Sequence, residues 1–282
     1  MSASTSSPMH NSTSGGNGIS KAKSSPITFN GDNEEHVNDK RNLLKYFKAN
    51  NIDGLKKIID KYDCSISMNI EIDNDKNTLF HEAINKCNNN IIKIILNVSD
   101  SIKFFNNKND NNGLNPLGIA VTHDFKGDCL ESLLKYCKDN KQLNIKNIIE
   151  DTNNKKKATI FHMAADNNNI KCLEVLLKYK KEYKKEFDKD IDINLQDDEG
   201  DIPIGRAIFR NHYYIVKKML ECDDIDIRKI DKQYNTVFHL VALNGNLSIL
   251  KLLFQHIKSN LSKKEKVKLI LLIIIQILFI NY

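Results

Sequence analysis

Three histidines of this chain occupy one position of a recurring hexapeptide, and imidazole is a common zinc ligand and general base. His81, His162 and His239 each lie three residues after a threonine. A zinc site would require their ring nitrogens to reach one ion at about 2 Å. They belong to alternate copies of the hexapeptide, and packed helices lie about 8–10 Å apart, so they should be too far from one another. We interpret them as hydrogen-bonded structural histidines and predict no metal site.

Other patterns that carry chemistry are missing from the sequence. It contains no Gly-rich phosphate loop and no nucleophile with a base at a recognisable spacing. The pair His81-Glu82 lacks the second histidine of a metalloprotease helix. The run 180–186 mixes charge signs at helical spacing, which is typical of a solvated helix face rather than a nucleic-acid patch. We therefore predict that the chain is not an enzyme and takes no cofactor.

The elements that hold the histidines repeat five times. The hexapeptide starts at residues 78, 115, 159, 202 and 236, and reads TLFHEA, NPLGIA, TIFHMA, IPIGRA and TVFHLV. Each copy is followed by two apolar pairs at helical spacing: Ile91-Ile92 and Ile95-Leu96, Cys129-Leu130 and Leu133-Leu134, Cys172-Leu173 and Leu176-Leu177, Ile215-Val216 and Met219-Leu220, and Ile249-Leu250 and Leu253-Phe254. The pattern predicts five helix–turn–helix units, each of which needs neighbours to bury its apolar faces.

The hexapeptide resembles the T-P-L-H-x-A signature of ankyrin repeats over about residues 73–256. No copy is complete, because three keep Thr and His without Pro, and two keep Pro but have Gly in place of His. The fourth copy has Ile202 at the threonine position. The resemblance implies an all-α ankyrin-repeat solenoid of stacked helix-turn-helix pairs with short β-turn or hairpin connections.

The resemblance also implies a function and a site. We expect a non-catalytic scaffold or adaptor that binds a partner protein through its concave face, and we expect a monomer. The residue after the His/Gly position and the one four later should face this groove: Glu82, Lys86, Ile119, Met163, Asn167, Arg206, Arg210, Leu240 and Asn244. Ile119, Met163 and Leu240 would be exposed apolar anchors, and Arg206 with Arg210 a basic spot. The alternatives are an N-terminal ankyrin part of a longer catalytic or channel protein, and a tail-anchored membrane scaffold.

Composition excludes some partners and indicates a compartment. The chain has 282 residues and a net charge of +6, with 42 basic residues interspersed among 36 acidic ones. Because only four of the basic residues are Arg and no basic cluster appears, we expect no nucleic-acid partner. The six cysteines form no C-x-x-C pair, and the N-terminus has no secretory signal. A reducing compartment follows, cytoplasmic or alternatively nuclear.

The two ends differ from the repeats. Residues 1–38 are rich in Ser, Asn and Gly and should form a disordered tail. Residues 39–260 should form the array, including a degenerate N-terminal helix pair. Residues 261–282 are Lys-rich and then apolar, and the apolar run 269–280 is short of the roughly 20 residues that span a bilayer. This run could be a buried terminal helix or strand, a membrane-associating tail, or translated non-coding sequence.

Overall fold

A computed structural model describes residues 34–61, 77–97, 105, 108, 113–140, 143–152 and 154–280, without the side chains of 36 and 272–280. These residues form fourteen helices and no strand. The helices are α1 (Glu34–Lys48), α2 (Ile52–Lys61), α3 (Leu79–Asn85), α4 (Asn89–Leu96), α5 (Pro116–His123), α6 (Asp128–Asp139), α7 (Ile145–Ile149), α8 (Ile160–Asp166), α9 (Ile170–Phe187), α10 (Pro203–Phe209), α11 (Tyr213–Met219), α12 (Val237–Asn244), α13 (Leu247–Asn260) and α14 (Lys263–Ile280).

The helices stack in two layers. The inner layer is α3, α5, α8, α10 and α12, each packed on the next, and the outer layer is α2, α4, α6, α9, α11 and α13. Five inner–outer pairs define units one to five: α3–α4, α5–α6, α8–α9, α10–α11 and α12–α13. The apolar pairs that follow the hexapeptides are buried in units one to three, where Cys129 and Cys172 are fully buried as small hydrophobes. In units four and five Leu220 and Leu250 are half buried, and Phe254 is exposed. The all-α solenoid expected from the sequence is confirmed.

Asparagines start several outer helices. The side chains of Asn88, Asn169 and Asn246 accept hydrogen bonds from the backbone N–H groups three residues later, at 3.3, 3.1 and 3.0 Å. These contacts satisfy donors that a helix start leaves free. Asn169 also donates to the carbonyl oxygens of Val121 and Asp124 in unit two, at 2.9 and 3.0 Å. Part of the asparagine content of the chain therefore caps helices and links neighbouring units.

Units two and three are long, because their hexapeptides lie 44 and 43 residues before the next one. The two units accommodate the extra residues in different ways. Between units two and three the chain forms the short helix α7, whereas in unit three α9 continues for 18 residues. The expected solvated face at 180–186 is wrong at its first residue, because Lys180 is buried. Its ammonium group contacts the carboxylates of Asp190 and Asp224 and donates to the carbonyl of Ile191. The charge can be buried there because two carboxylates, each 35% exposed, pair with it.

At the N-terminal end, α1 begins at Glu34, so residues 34–38 are helical where the sequence suggested a disordered tail. Two features explain the earlier start. Glu34 and Glu35 favour a helix N-terminus, and Lys61 of α2 pairs with Glu35 and Asp39 at 2.7 and 2.6 Å. The rest of that predicted tail, residues 1–33, lies outside the described residues.

At the C-terminal end, the apolar run 269–280 continues the helix α14. Leu269 is buried, while Ile270 and Leu271 are about half exposed. Within the described residues, no helix combines the length and the apolar character that crossing a bilayer requires. The domain boundaries at 39 and 260 remain predictions.

Candidate functional site

In units one, three and five, the repeat histidine bonds the threonine that precedes the inner helix and so caps the start of that helix. The backbone N–H of Thr78, Thr159 and Thr236 donates to Nδ1 of the following histidine at 3.1, 3.0 and 3.2 Å. The threonine hydroxyl meets the same nitrogen at 3.2, 2.9 and 2.8 Å. Because a backbone N–H can only donate, Nδ1 is the acceptor and the proton of the neutral ring lies on Nε2. The structural interpretation of these histidines is confirmed.

His162 also links two units. Its Nε2 donates to the carbonyl oxygen of Asp201, in the turn before unit four, at 2.9 Å. Burial lowers the pKa of this imidazole, although the Asp201 bond and nearby carboxylates oppose the shift. The ring is therefore neutral at physiological pH. Among the described residues, no group of three His, Cys, Asp or Glu side chains is arranged to hold a metal ion.

Units two and four cap their inner helices without a histidine. In unit two the side chain of Asn115 accepts from the N–H of Gly118 at 2.9 Å. In unit four Ile202 makes no side-chain cap, and Pro203 at the first turn removes one N–H that would need a partner. The glycines leave space that the next unit fills. Met163 Sδ lies 3.3 Å from where a Cβ on Gly118 would be, and Leu240 Cδ1 lies 3.6 Å from that of Gly205.

This packing corrects the expected apolar anchors. Ile119 is 1% exposed and Leu240 is 8% exposed, so neither is an accessible anchor. Met163 is half buried against Gly118. The side chains of Met163 and Leu240 pack on the glycine of the preceding unit. The spacing of residues along a single helix cannot predict a contact with another unit.

The expected basic spot is also corrected. Arg206 contacts the carboxylates of Asp197 at 2.6 Å and Asp201 at 3.1 Å and is mostly buried. Arg210 remains half exposed but pairs with Asp166 of the preceding unit at 3.3 Å. Both guanidinium groups therefore have acidic partners within the stack. Burial, together with Asp197, raises the pKa of Asp201 to about 6, although Arg206 opposes the shift.

The four polar candidates keep some accessible surface. Lys86 is exposed, pairs with Glu82 at 3.0 Å and lies over the ring of Phe47 at 5.3 Å. Asn167 is exposed and bonds the carbonyl of Met163 at 2.8 Å. Asn244 is half buried, and its amide bonds unit four through two backbone carbonyls. These residues lie along successive inner helices and do not converge on one pocket.

Sequence reasoning missed the most exposed apolar pair of the inner layer. Phe209 and Leu243 are 58% and 74% exposed and occupy the same position at the end of α10 and α12. The amide of Asn244 donates to the carbonyl of Phe209 at 3.0 Å, which holds the two helix ends together. An alignment of the five repeats by sequence would show this pair, because the first three units have the polar residues Asn85, Thr122 and Asp166 at this position. Only units four and five place an apolar residue there.

Comparisons with known proteins agree with the observed architecture. A family model described as ankyrin repeats, in three copies, matches residues 126–231. The crystal structure of the ankyrin repeat domain of Bcl-3, a member of the IkappaB protein family, matches with a TM-score of 0.60 at 15% identity, covering 80% of this chain and 86% of that one. The ankyrin repeat protein EF0377 matches with a TM-score of 0.58 at 20% identity, covering 76% and 96%.

No curated protein matches the chain significantly. The two solved structures share the fold at low sequence identity, while the family model covers the outer helix of unit two and all of units three and four, and reaches the turn before unit five. The Thr–His contacts and the two-layer stack extend the same pattern to units one and five. The chain therefore has the ankyrin-repeat fold, and its residues 126–231 match the ankyrin-repeat family.

Proposed function

We propose that the chain is a non-catalytic scaffold or adaptor that binds a partner protein through the concave face, which the inner helices line. Ankyrin repeats generally mediate protein–protein interaction. The inner layer consists of five helices, each packed on the next, and together they form one extended surface. A preformed stack limits the ordering entropy lost on association. Cys129, Cys137, Cys172 and Cys222 are free and buried, which fits the reducing compartment, cytoplasmic or nuclear, that the sequence predicts.

One observation carries the proposal. Phe209 and Leu243 expose large apolar side chains side by side at the ends of two inner helices. Exposed aromatic and aliphatic groups with polar neighbours are typical of interface centres. Arg210, half exposed and next to Phe209 in the chain, adds a polar group nearby. We place the centre of the binding face at units four and five rather than along the whole array.

The test is affinity capture with the full chain, followed by mass spectrometry. We expect specific partners to be recovered with the wild type and lost with Phe209→Glu and with Leu243→Glu. Phe187→Glu is the matched control, because Phe187 is also half exposed but lies at the end of the outer helix α9. If the Phe209 and Leu243 variants recover the same partners as the wild type, the proposed location of the site is wrong.

A further inference from the structure

The net charge of the chain lies entirely in its C-terminal part. Residues 1–231 contain 35 basic and 35 acidic side chains, so their formal charges cancel. Residues 232–282 contain seven lysines and one acidic residue, Glu265, which accounts for the whole excess of +6. Five of these lysines lie between residues 258 and 268. A basic cluster is therefore present at this end, although basic and acidic residues balance over the rest of the chain.

The lysines of this end are available to an external partner. In the part of the chain that the structure describes, none of the seven forms an ion pair with a carboxylate. All but Lys266 are exposed. The one acidic group nearby is already paired, because the carboxylate of Glu265 contacts Arg228 at 3.2 Å and accepts the hydroxyl of Ser262 at 2.7 Å. A cluster of exposed charge without counter-ions attracts an anionic surface.

One side of α14 is held against the array, and the other side faces solvent. Glu265 pairs with Arg228 in the segment before unit five, and Leu269, four residues after Glu265, is 2% exposed and belongs to the apolar core. Val267 and Leu271 each lie two residues further along, which is about 200° of rotation around a helix. They therefore point away from the array, and both are about half exposed.

Along the exposed side of α14, lysines come first and apolar residues follow. Lys263 and Lys264 lie in the first turn, one turn before Val267. The run 269–280 has twelve residues and is interrupted only by Gln276. As a helix it rises about 18 Å, compared with about 30 Å for the hydrocarbon core of a bilayer. Basic groups followed by apolar ones match the headgroup layer and the acyl-chain boundary of one bilayer face.

Charge and polarity argue against other occupants of this helix. A second copy of the chain would bring its own lysines against these, and like charges disfavour that contact. A nucleic acid would pair with the lysines but offers no apolar surface for Val267, Ile270 and Leu271. A protein groove would need an apolar floor bordered by several carboxylates. An anionic bilayer supplies both kinds of contact over its whole surface.

We propose that α14 binds the surface of an anionic lipid bilayer from one side. The lysines between 258 and 268 contact the headgroups, while Val267, Ile270, Leu271 and the apolar run that follows them meet the acyl-chain boundary. Electrostatic attraction and burial of apolar area both contribute to such binding, and neither alone accounts for the composition of this helix. The inference does not rest on the partner site at Phe209 and Leu243.

Flotation of the full chain with lipid vesicles tests the proposal, because aggregated protein stays at the bottom of the gradient. We expect the wild type to bind vesicles of phosphatidylcholine with phosphatidylserine far more tightly than phosphatidylcholine alone, and to be released as salt is raised. Lys263→Gln with Lys264→Gln should weaken binding about 25-fold, since each lysine near an anionic surface contributes about fivefold. Ile270→Gln with Leu271→Gln should weaken it about tenfold at unchanged charge.

The matched control is Lys56→Gln with Lys57→Gln. Both lysines are exposed on α2, so this variant loses the same net charge outside the C-terminal cluster and should float as the wild type does. All three variants change exposed positions, and circular dichroism checks that each keeps its helices.

Four results would overturn the proposal. The first is a wild type that does not float with anionic vesicles. The second is equal binding to the two kinds of vesicle, and the third is an equal loss of binding in the α2 control. The fourth is retention on double-stranded DNA in place of vesicles, which would assign the lysines to nucleic acid.

Discussion

At the scale of single residues, His162 and His239 make the same contact within their own units but differ beyond them. Both accept the N–H of the threonine three residues earlier. Only His162 also donates to the next turn, through the carbonyl of Asp201. Its ring is fully buried, whereas that of His239 is partly open. The same residue type therefore ties two units together in one place and only caps a helix in the other.

We predict that His162→Ala destabilises the protein more than His239→Ala, by about 1–3 kcal/mol. Both variants lose the acceptor for a threonine N–H, but the first also leaves the carbonyl of Asp201 without its donor and opens a cavity. Urea unfolding followed by circular dichroism measures the difference. Equal losses would show that the bond between units contributes nothing.

Asp201 is the one described carboxyl group whose pKa is raised to near neutral pH, about 6. Burial raises it, Asp197 adds to the effect, and Arg206 opposes both. Since the folded chain binds this proton more tightly than the unfolded chain, ionisation of Asp201 disfavours the folded state. The contribution to stability falls as the pH rises from about 4 to about 6.

Asp201→Asn should remove this dependence while keeping the backbone carbonyl that His162 uses. We expect the free energy of unfolding of the wild type, minus that of the variant, to decrease between pH 4 and pH 6 and to be flat above pH 7. The histidine titrations are common to both proteins and cancel in the difference. Urea titrations at four pH values would measure it, and parallel stability curves would contradict the assignment.

At the scale of elements, the turn before unit four is joined to the turn before unit five. The N–H of Gly200 donates to the carbonyl of Asp197 at 3.1 Å, and Lys232 donates to the carbonyl of Glu199 at 3.0 Å. Gly200 has φ +81°, and a Cβ there would lie 2.8 Å from the backbone nitrogen of Lys232. Gly245, at the end of α12, has φ +63° but nothing within 4 Å of a Cβ.

These two glycines form a matched pair for mutation. Gly245→Ala should cost about 1–2 kcal/mol, which is the strain of a left-handed alanine. Gly200→Ala should cost more, because it adds a clash between two backbones that cannot move apart without breaking the turn contact. Thermal or urea unfolding distinguishes them. Equal costs would mean that the two turns separate easily.

Much of this element structure could be predicted from sequence, because caps and apolar pairs are local. The hexapeptides at 78 and 159 begin inner helices where their threonines and histidines indicate. The exposure of groove residues could not be predicted in the same way. Whether Met163 faces solvent depends on Gly118, 45 residues earlier in the chain. The spacing along one helix does not contain such a contact, which is why Ile119 and Leu240 are buried although their helix positions suggest exposure.

At the scale of the whole molecule, the two ends of the stack have different surfaces. The N-terminal pair ends in charged and polar side chains, while unit five and α14 expose apolar ones. The amino-acid composition does not indicate this difference, because Lys, Asn and Ile occur throughout the chain. The register of the repeats reveals it, since one position is buried in units one to four, as Ile84, Val121, Ala165 and Ile208, and exposed in unit five, as Ala242.

Two kinds of ion pair join neighbouring units, and they differ in exposure. The ammonium of Lys180, 7% exposed, joins unit three to unit four through the carboxylate of Asp224 at 2.7 Å, so one of the two charges is shielded from dissolved ions. The outer helices of units two and three are instead linked by exposed pairs, Lys178–Glu131 at 2.7 Å and Lys138–Glu182 at 3.2 Å, which salt weakens. Raising the ionic strength should therefore weaken the contact between α6 and α9 more than the contact between units three and four.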